Sequence, residues 1–351
     1  MRLSPYLLAG CIASLSLQGH AETVNNLYQV LEPVASQTPD ERSAATQRAL
    51  ETLVLRLTGD PKAIASPGLA AVRKDPQQII SQFGYDAGPP QALQVDFDPV
   101  STDSQLRQAG LPTWGSNRPS ILGWWLNDSV DGSSLVGDGQ ATAGPLRRAA
   151  QHRGLPLRLP LADLNEQLAA TAKNLEGSDA TPLRAASERY GADALLAVHA
   201  HQEGDKWTAK WRLWLGDKQD NGTAEGADQA ALADALLLAV SERLAPRYLA
   251  KPGASTDLTL QVQGNTLERY AQLGRLLEPF GARLKSVDGD TLLYRVTGSP
   301  EQLRAQLTLA KLQEVHPDPA ALPAVTPAAA GTAPVAQPAP SAPAADLVFH
   351  W

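Results

Sequence analysis

Sulfur is almost absent from this chain. Its 351 residues contain one cysteine, Cys11, and one methionine, Met1. Both lie in the first 21 residues, which have the layout of a removable leader. Loss of that leader leaves no thiol, which excludes a disulfide scaffold, thiol catalysis and cysteine-ligated metals. Basic residues are also short: 30 Lys and Arg stand against 37 Asp and Glu, for a net charge of -7. That balance lacks the basic footprint of nucleic-acid binders and the polybasic cluster of membrane-surface binders. No later segment approaches the ~20 apolar residues that span a membrane. The longest apolar helical pattern, Ala230 to Val240, contains Asp234 and has a polar face. The chain is therefore expected not to be transmembrane and to bind no nucleic acid.

Catalytic signatures are missing as well. No Gly-x-Ser-x-Gly elbow occurs. Gly137-Asp138-Gly139 stands alone, with no strand immediately before it and no Gly-Lys-Ser/Thr after it, so it reads as a turn. Asp96/Asp98 and Asp288/Asp290 are spaced by two, which does not make a paired acid and base. His199 and His201 share one side of a strand, and Glu203 would join them if the strand continues. That is a conceivable two-histidine, one-carboxylate face, but Glu203 sits at a turn and no third histidine is near. No cofactor, no metal and no catalytic residue are expected.

What is present begins with an export signal over residues 1–21. Arg2 gives a positive end, Leu7 to Leu17 an apolar stretch, and Gly19-His20-Ala21 the small residues of a cleavage site. Leu8-Ala9-Gly10-Cys11 offers a rival lipobox, with Cys11 as a lipid anchor. The run before Cys11 is very short, and the apolar residues after it would remain on the mature end, so soluble export to the periplasm is preferred.

The apolar content of 43% is globular, and the pattern divides into three small α/β (α+β) domains with mixed sheets. The first spans 22–116. Leu27 to Ala35 reads as a strand, and Thr38-Pro39-Asp40-Glu41 as a capping box opening a helix that Gly59 ends. Asp75-Pro76 opens a second, shorter helix through Phe83, and Leu93, Val95 and Phe97 alternate as a strand.

The middle domain spans 117–250. The continuous run Ile121 to Leu126 is a buried-strand signal. A loose loop (128–144), a helix around Pro145 to Arg153, a short strand Leu155 to Leu159 and a helix from Leu161 to about Asn174 follow. Thr181 to Tyr190 is a helix, 192–201 and 206–215 form a hairpin, and an amphipathic helix from about Asp228 to Leu244 covers it. The third domain, 256–315, has the order β-α-β-β-α, a small split βαβ-type sandwich. Its strands lack the stacking aromatics of RNA-binding folds. Residues 316–345, rich in Ala and Pro, read as a disordered linker. The apolar peptide 346–351 follows it, either folding back as an edge strand or docking on a partner by strand addition.

Candidate partner-binding residues come from two places. Trp124 and Trp125 lie on opposite faces of one strand; core packing is the simpler account of them, and the alternative is that an exposed one serves a protein partner or a glycan. Leu347, Phe349 and Trp351 are the apolar side chains of the terminal peptide.

Four blocks carry a resemblance. Residues 27–34 (LeuTyrGlnValLeuGluProVal), 55–61 (LeuArgLeuThrGlyAspPro), 117–126 (AsnArgProSerIleLeuGlyTrpTrpLeu) and 189–197 (ArgTyrGlyAlaAspAlaLeuLeuAla) resemble a family of exported proteobacterial proteins known only as a domain of unknown function. Residues 117–249 are similar in pattern to the amino-terminal domain of the Tol-system periplasmic protein, to lipoproteins that activate peptidoglycan synthases, and to a flagellar outer-ring protein. The pattern similarity implies binding of other envelope proteins, and the family resemblance implies no known activity, cofactor or catalytic residue. The expectation is a non-enzymatic periplasmic adaptor or assembly factor. The alternative is an envelope glycan-binding protein or hydrolase with a tryptophan-lined groove.

Overall fold

A computed structural model describes residues 22–88, 90–249, 256–315 and 345–351. The expected signal peptide, the Cys11 lipobox and the linker up to residue 344 lie outside the described residues. Helices and mixed sheets give the α+β class expected, with sheets of three, six and five strands and one two-stranded ladder.

The first unit carries β1 (Glu22–Thr23), β2 (Gln29–Pro33), α1 (Pro39–Thr58), α2 (Ala70–Lys74), β3 (Ile80–Asp86), β4 (Ala92–Phe97) and α3 (Pro99–Gln108). The start of α1 is set by Thr38, whose side chain accepts from the Glu41 N–H. Its end is set by Gly59 at φ +66°, whose N–H closes on the Leu55 carbonyl. Ala49, Leu50, Leu53, Val54 and Leu57 face an antiparallel sheet of order β2-β4-β3. The expected helix from Asp75 to Phe83 is instead a single 3-10 turn, Pro76–Ile79, followed by β3. β-Branched Ile79 and Ile80 favour extended backbone, and pairing with β4 from Ile80↔Phe97 to Asp86↔Ala92 supplies the ladder bonds.

The middle unit carries β5 (Asn117–Arg118), β6 (Ile121–Ser129), β7 (Gly132–Leu135), α4 (Ala143–Arg153), β8 (Leu157–Arg158), α5 (Leu164–Ala169), α6 (Ala172–Glu176), α7 (Thr181–Ser187), β9 (Ala194–Glu203), β10 (Lys206–Leu215), β11 (Lys218–Gly226) and α8 (Gln229–Leu244). Its sheet runs β11-β10-β9-β6-β7, with β8 also on β6. β6 lies parallel to β9, and β9, β10 and β11 form an antiparallel meander. Helices α4 and α8 cover one face and α5 to α7 the other. A strand buried on both faces needs no polar alternation, which is why β6 begins with an uninterrupted apolar run.

Three expectations change here. The loose loop 128–144 contains β7, paired back on β6. The single helix from Leu161 breaks into α5 and α6, because Thr171 turns extended and caps α6 by accepting from the Asn174 N–H. β11 was not expected: LysGlnAspAsnGlyThrAlaGluGly has no apolar alternation, as suits an edge strand facing water.

The third unit carries β12 (Thr256–Gln263), α9 (Leu267–Leu277), β13 (Arg283–Asp288), β14 (Thr291–Gly298), α10 (Pro300–Leu309), β15 (Gln313–Glu314) and β16 (Leu347–His350). The expected β-α-β-β-α order is observed. The terminal peptide folds back on its own chain, though not as an edge strand. The sheet order β13-β14-β12-β16-β15 places it between two others.

The units are joined by aromatic and polar contacts. Arg118 stacks over Trp114, at 4.2 Å from its ring centroid, and Trp114 stacks in turn on Tyr248 of the middle unit. Lys311 reaches Asp193 at 3.1 Å, and the Gln306 amide donates to the Asn117 carbonyl at 3.3 Å.

Candidate functional site

The tryptophan face, the alternative to core packing, is not at the surface. Trp124 and Trp125 are 0% and 3% exposed and enter different cores. Trp124 donates its indole N–H to Ser187 Oγ, and Trp125 donates to Asn127 Oδ1, each at 2.9 Å. Alternation along β6 sends Trp125 toward α4 and α8, and Trp124 toward the short helices α5 to α7. The sequence pattern recognised one covering layer and missed the second. Trp207, Trp211 and Trp214 are buried as well. A cleft of about 310 Å³ between α7 and the start of β9 has Trp214 in its wall, together with Arg184, Glu188 and Gly216.

Of the terminal candidates, Leu347 and Phe349 are buried in the third core. Trp351 is half-buried, with the Arg269 guanidinium 5.4 Å from its ring.

His199 does not combine with His201 and Glu203. Its ring lies between two carboxylates, with Nε2 at 2.5 Å from Asp128 and Nδ1 at 2.7 Å from Glu176. Lys210 holds the other Glu176 oxygen at 2.8 Å. Burial favours the neutral ring, but hydrogen bonds to Asp128 and Glu176 outweigh it and raise the His199 pKa. His201 and Glu203 are exposed. Among the described residues no group of three or more His, Cys, Asp or Glu is placed to hold a metal.

A different surface stands out. Leu161, Leu164 and Leu168 are 67%, 72% and 68% exposed and follow one another at spacings of three and four. Leu164 and Leu168, four apart on α5, share one side of that helix, and Leu161 lies just before its cap, so a ridge of three leucines stands in water within eight residues. The segment is held rigidly. Asp163 and Glu166 form a reciprocal capping box at the start of α5, with both bonds at 3.0 Å. Glu166 is buried and receives Tyr190 Oη–H and the Arg189 guanidinium, which also binds Asp163 at 2.7 Å. Just before them Ala162 holds φ +59°, a left-handed conformation that costs a non-glycine residue about 1–2 kcal/mol. This backbone turn immediately follows Leu161.

Beside the ridge lies a cleft of about 580 Å³ lined by Asp163, Asn165, Glu166, Ala185, Ala186, Glu188 and Arg189. Arg189 already holds Asp163 and Glu166, so Glu188 is the carboxylate that leaves the wall net acidic toward a cationic group. Sequence reasoning passed over the ridge because its leucines fell within a single helix expected from Leu161 to about Asn174. The available signal was the Asp163–Glu166 capping box, which starts the helix after Leu161 and not at it.

Residues 21–115 match the family model described as Domain of unknown function (DUF8605). That match takes in the blocks 27–34 and 55–61 and leaves out 117–126 and 189–197. No curated protein and no solved structure matches the chain.

Proposed function

We propose that this chain is a non-enzymatic adaptor or assembly factor, exported to the periplasm, which binds another cell-envelope protein through the leucine ridge. The single observation that carries this reading is the triplet Leu161, Leu164 and Leu168, each about two-thirds exposed at and just before the capped start of α5. Leaving leucines in water forgoes ~1.5–3 kcal/mol of burial apiece, and strongly exposed apolar clusters on a folded surface mark contact sites. The adjoining acidic cleft gives the partner a chemistry: an amphipathic segment with apolar residues for the ridge and a Lys or Arg for the cleft.

The reading as a tryptophan-lined glycan site has less support, since the five tryptophans of the middle unit are buried. Export is supported by the leader-like composition of residues 1–21. The test is site-specific photocrosslinking from position 164 in living cells, with cell fractionation to locate the adduct. The proposal expects one dominant envelope protein, lost in Leu161→Asp/Leu168→Asp. A cytoplasmic location, or an adduct pattern unchanged by those substitutions, counts against it.

A further inference from the structure

The third unit's sheet contains a slot that its local chain does not fill. After α10 the chain forms β15, which runs antiparallel to the direction of β12. It is oriented to pair directly with β12, yet it stands one strand further out. The gap is filled by β16, parallel to β12 from Leu260↔Leu347 to Gln263↔His350 and antiparallel to β15 at Gln313↔His350 and Glu314↔Phe349.

The fit is specific. Asp346 clamps the entrance: its N–H donates to the Thr259 carbonyl at 2.9 Å and its carboxylate accepts from the Thr259 N–H at 2.7 Å. Leu347 and Phe349, two apart, enter the core, where they meet the apolar faces of α9 and α10. Val315 N–H donates to the Val348 carbonyl at 2.8 Å, so the two ends of the intervening sequence lie side by side. A hairpin would join them with about 2–5 residues. The chain instead runs through residues 316–344, a stretch rich in Ala and Pro. All the contacts are of a kind that an extended segment of another chain can make: a backbone ladder on two sides, two alternate apolar pockets and one carboxylate clamp.

We propose that the slot between β12 and β15 is a peptide-binding site for an Asp-apolar-x-apolar strand of another protein, occupied at rest by this chain's own residues 345–351. This site is separate from the leucine ridge and does not depend on it. Tethering sets the resident strand at an effective concentration on the order of millimolar, so an incoming strand displaces it only when it binds more tightly or is itself delivered at high local concentration.

The test uses the full chain with a protease recognition sequence placed within 316–344 and cut after purification. The probe is a fluorescent peptide with the sequence of residues 345–351. The cut protein is expected to exchange its own fragment for the probe saturably, at least about tenfold more than the uncut chain, and to reject a Phe349→Asp version of the peptide. The proposal is overturned if the cut protein keeps its fragment without exchange, unfolds on losing it, or binds the altered peptide equally well.

Discussion

Arg118 Nη2–H donates to the carbonyl of Arg56 at 2.7 Å, so one buried guanidinium closes the helix that carries the other. Neither side chain has a carboxylate partner among these contacts. Arg118 also donates to the carbonyls of Trp114, Gly115, Arg153 and Gly154, and Arg56 to those of Asn26, Leu27, Gln29 and His152. Several of these acceptors end α1 and α4, where carbonyls lack helical partners and the helix dipole is negative. Burial, opposed for Arg56 by Glu32, lowers the Arg56 pKa to about 10. Burial together with the neighbouring Arg56 charge lowers the Arg118 pKa to about 9. Both values leave the groups charged at neutral pH.

Replacing Arg118 by Met should therefore cost about 3–5 kcal/mol, because several buried carbonyls lose their donor at once. Arg118→Lys should recover little, since an ammonium cannot fork between two helix ends. Urea unfolding checks this. The first and middle units are expected to melt as one transition in the native chain and as two in the Met variant.

Gly59 makes a second joint between the same units. A Cβ there would stand 2.2 Å from Ala245 Cβ, and the residue holds φ +66°. Gly110 has a similar φ of +69° with open space around it. Gly110→Ala should cost about 1–2 kcal/mol, the conformational penalty alone. Gly59→Ala should cost clearly more, because overpacking adds about 1–3 kcal/mol. Equal losses of thermal stability would show that Gly59 is needed only for its backbone angle.

The His199 cluster predicts a pH dependence. The folded His199 pKa is raised, so its contribution is complete below the unfolded value of about 6.5 and is lost as pH rises through the folded value. Hydrogen bonds from Lys210 and His199 lower the Glu176 pKa. Burial works against ionised Asp128, but Ser133 and His199 beside it outweigh that and lower its pKa. The carboxylate contributions are therefore present above about pH 4–4.5 and are lost as pH falls through the depressed folded values. The cluster stabilises most between about pH 4.5 and 6.5. His199→Gln should flatten the alkaline side of the stability profile, read as midpoint denaturant concentration against pH. An unchanged alkaline slope would assign that dependence to other groups.

Much of this architecture is legible in the residues. Thr38 and Gly59 bracket α1, the hairpin of β9 and β10 follows its alternation, and the β-α-β-β-α order of the third unit is visible in spacing alone. What escaped has physical causes. β11 is an edge strand made of polar residues, so no apolar period announces it. β3 is extended because β4 pairs with it, a tertiary effect that overrides a helix-like opening at Asp75-Pro76. The joint of Arg56 and Arg118 was hidden because a buried arginine looks like a surface one until the carbonyls around it are placed. The leucine ridge was hidden for the opposite reason: leucine at helical spacing ordinarily faces a core.

The ridge carries the central claim, and it separates stability from binding. Leu161, Leu164 and Leu168 are exposed, so Leu161→Asp/Leu168→Asp should change folding stability by no more than about 0.5 kcal/mol per site. The decisive measurement is photocrosslinking in cells from position 164, with and without those two substitutions, read alongside thermal unfolding of the purified chain. The account predicts one dominant envelope partner that disappears in the doubly substituted chain while its melting curve is unchanged. A partner captured equally by both chains, or a melting curve that collapses with the substitutions, would contradict it.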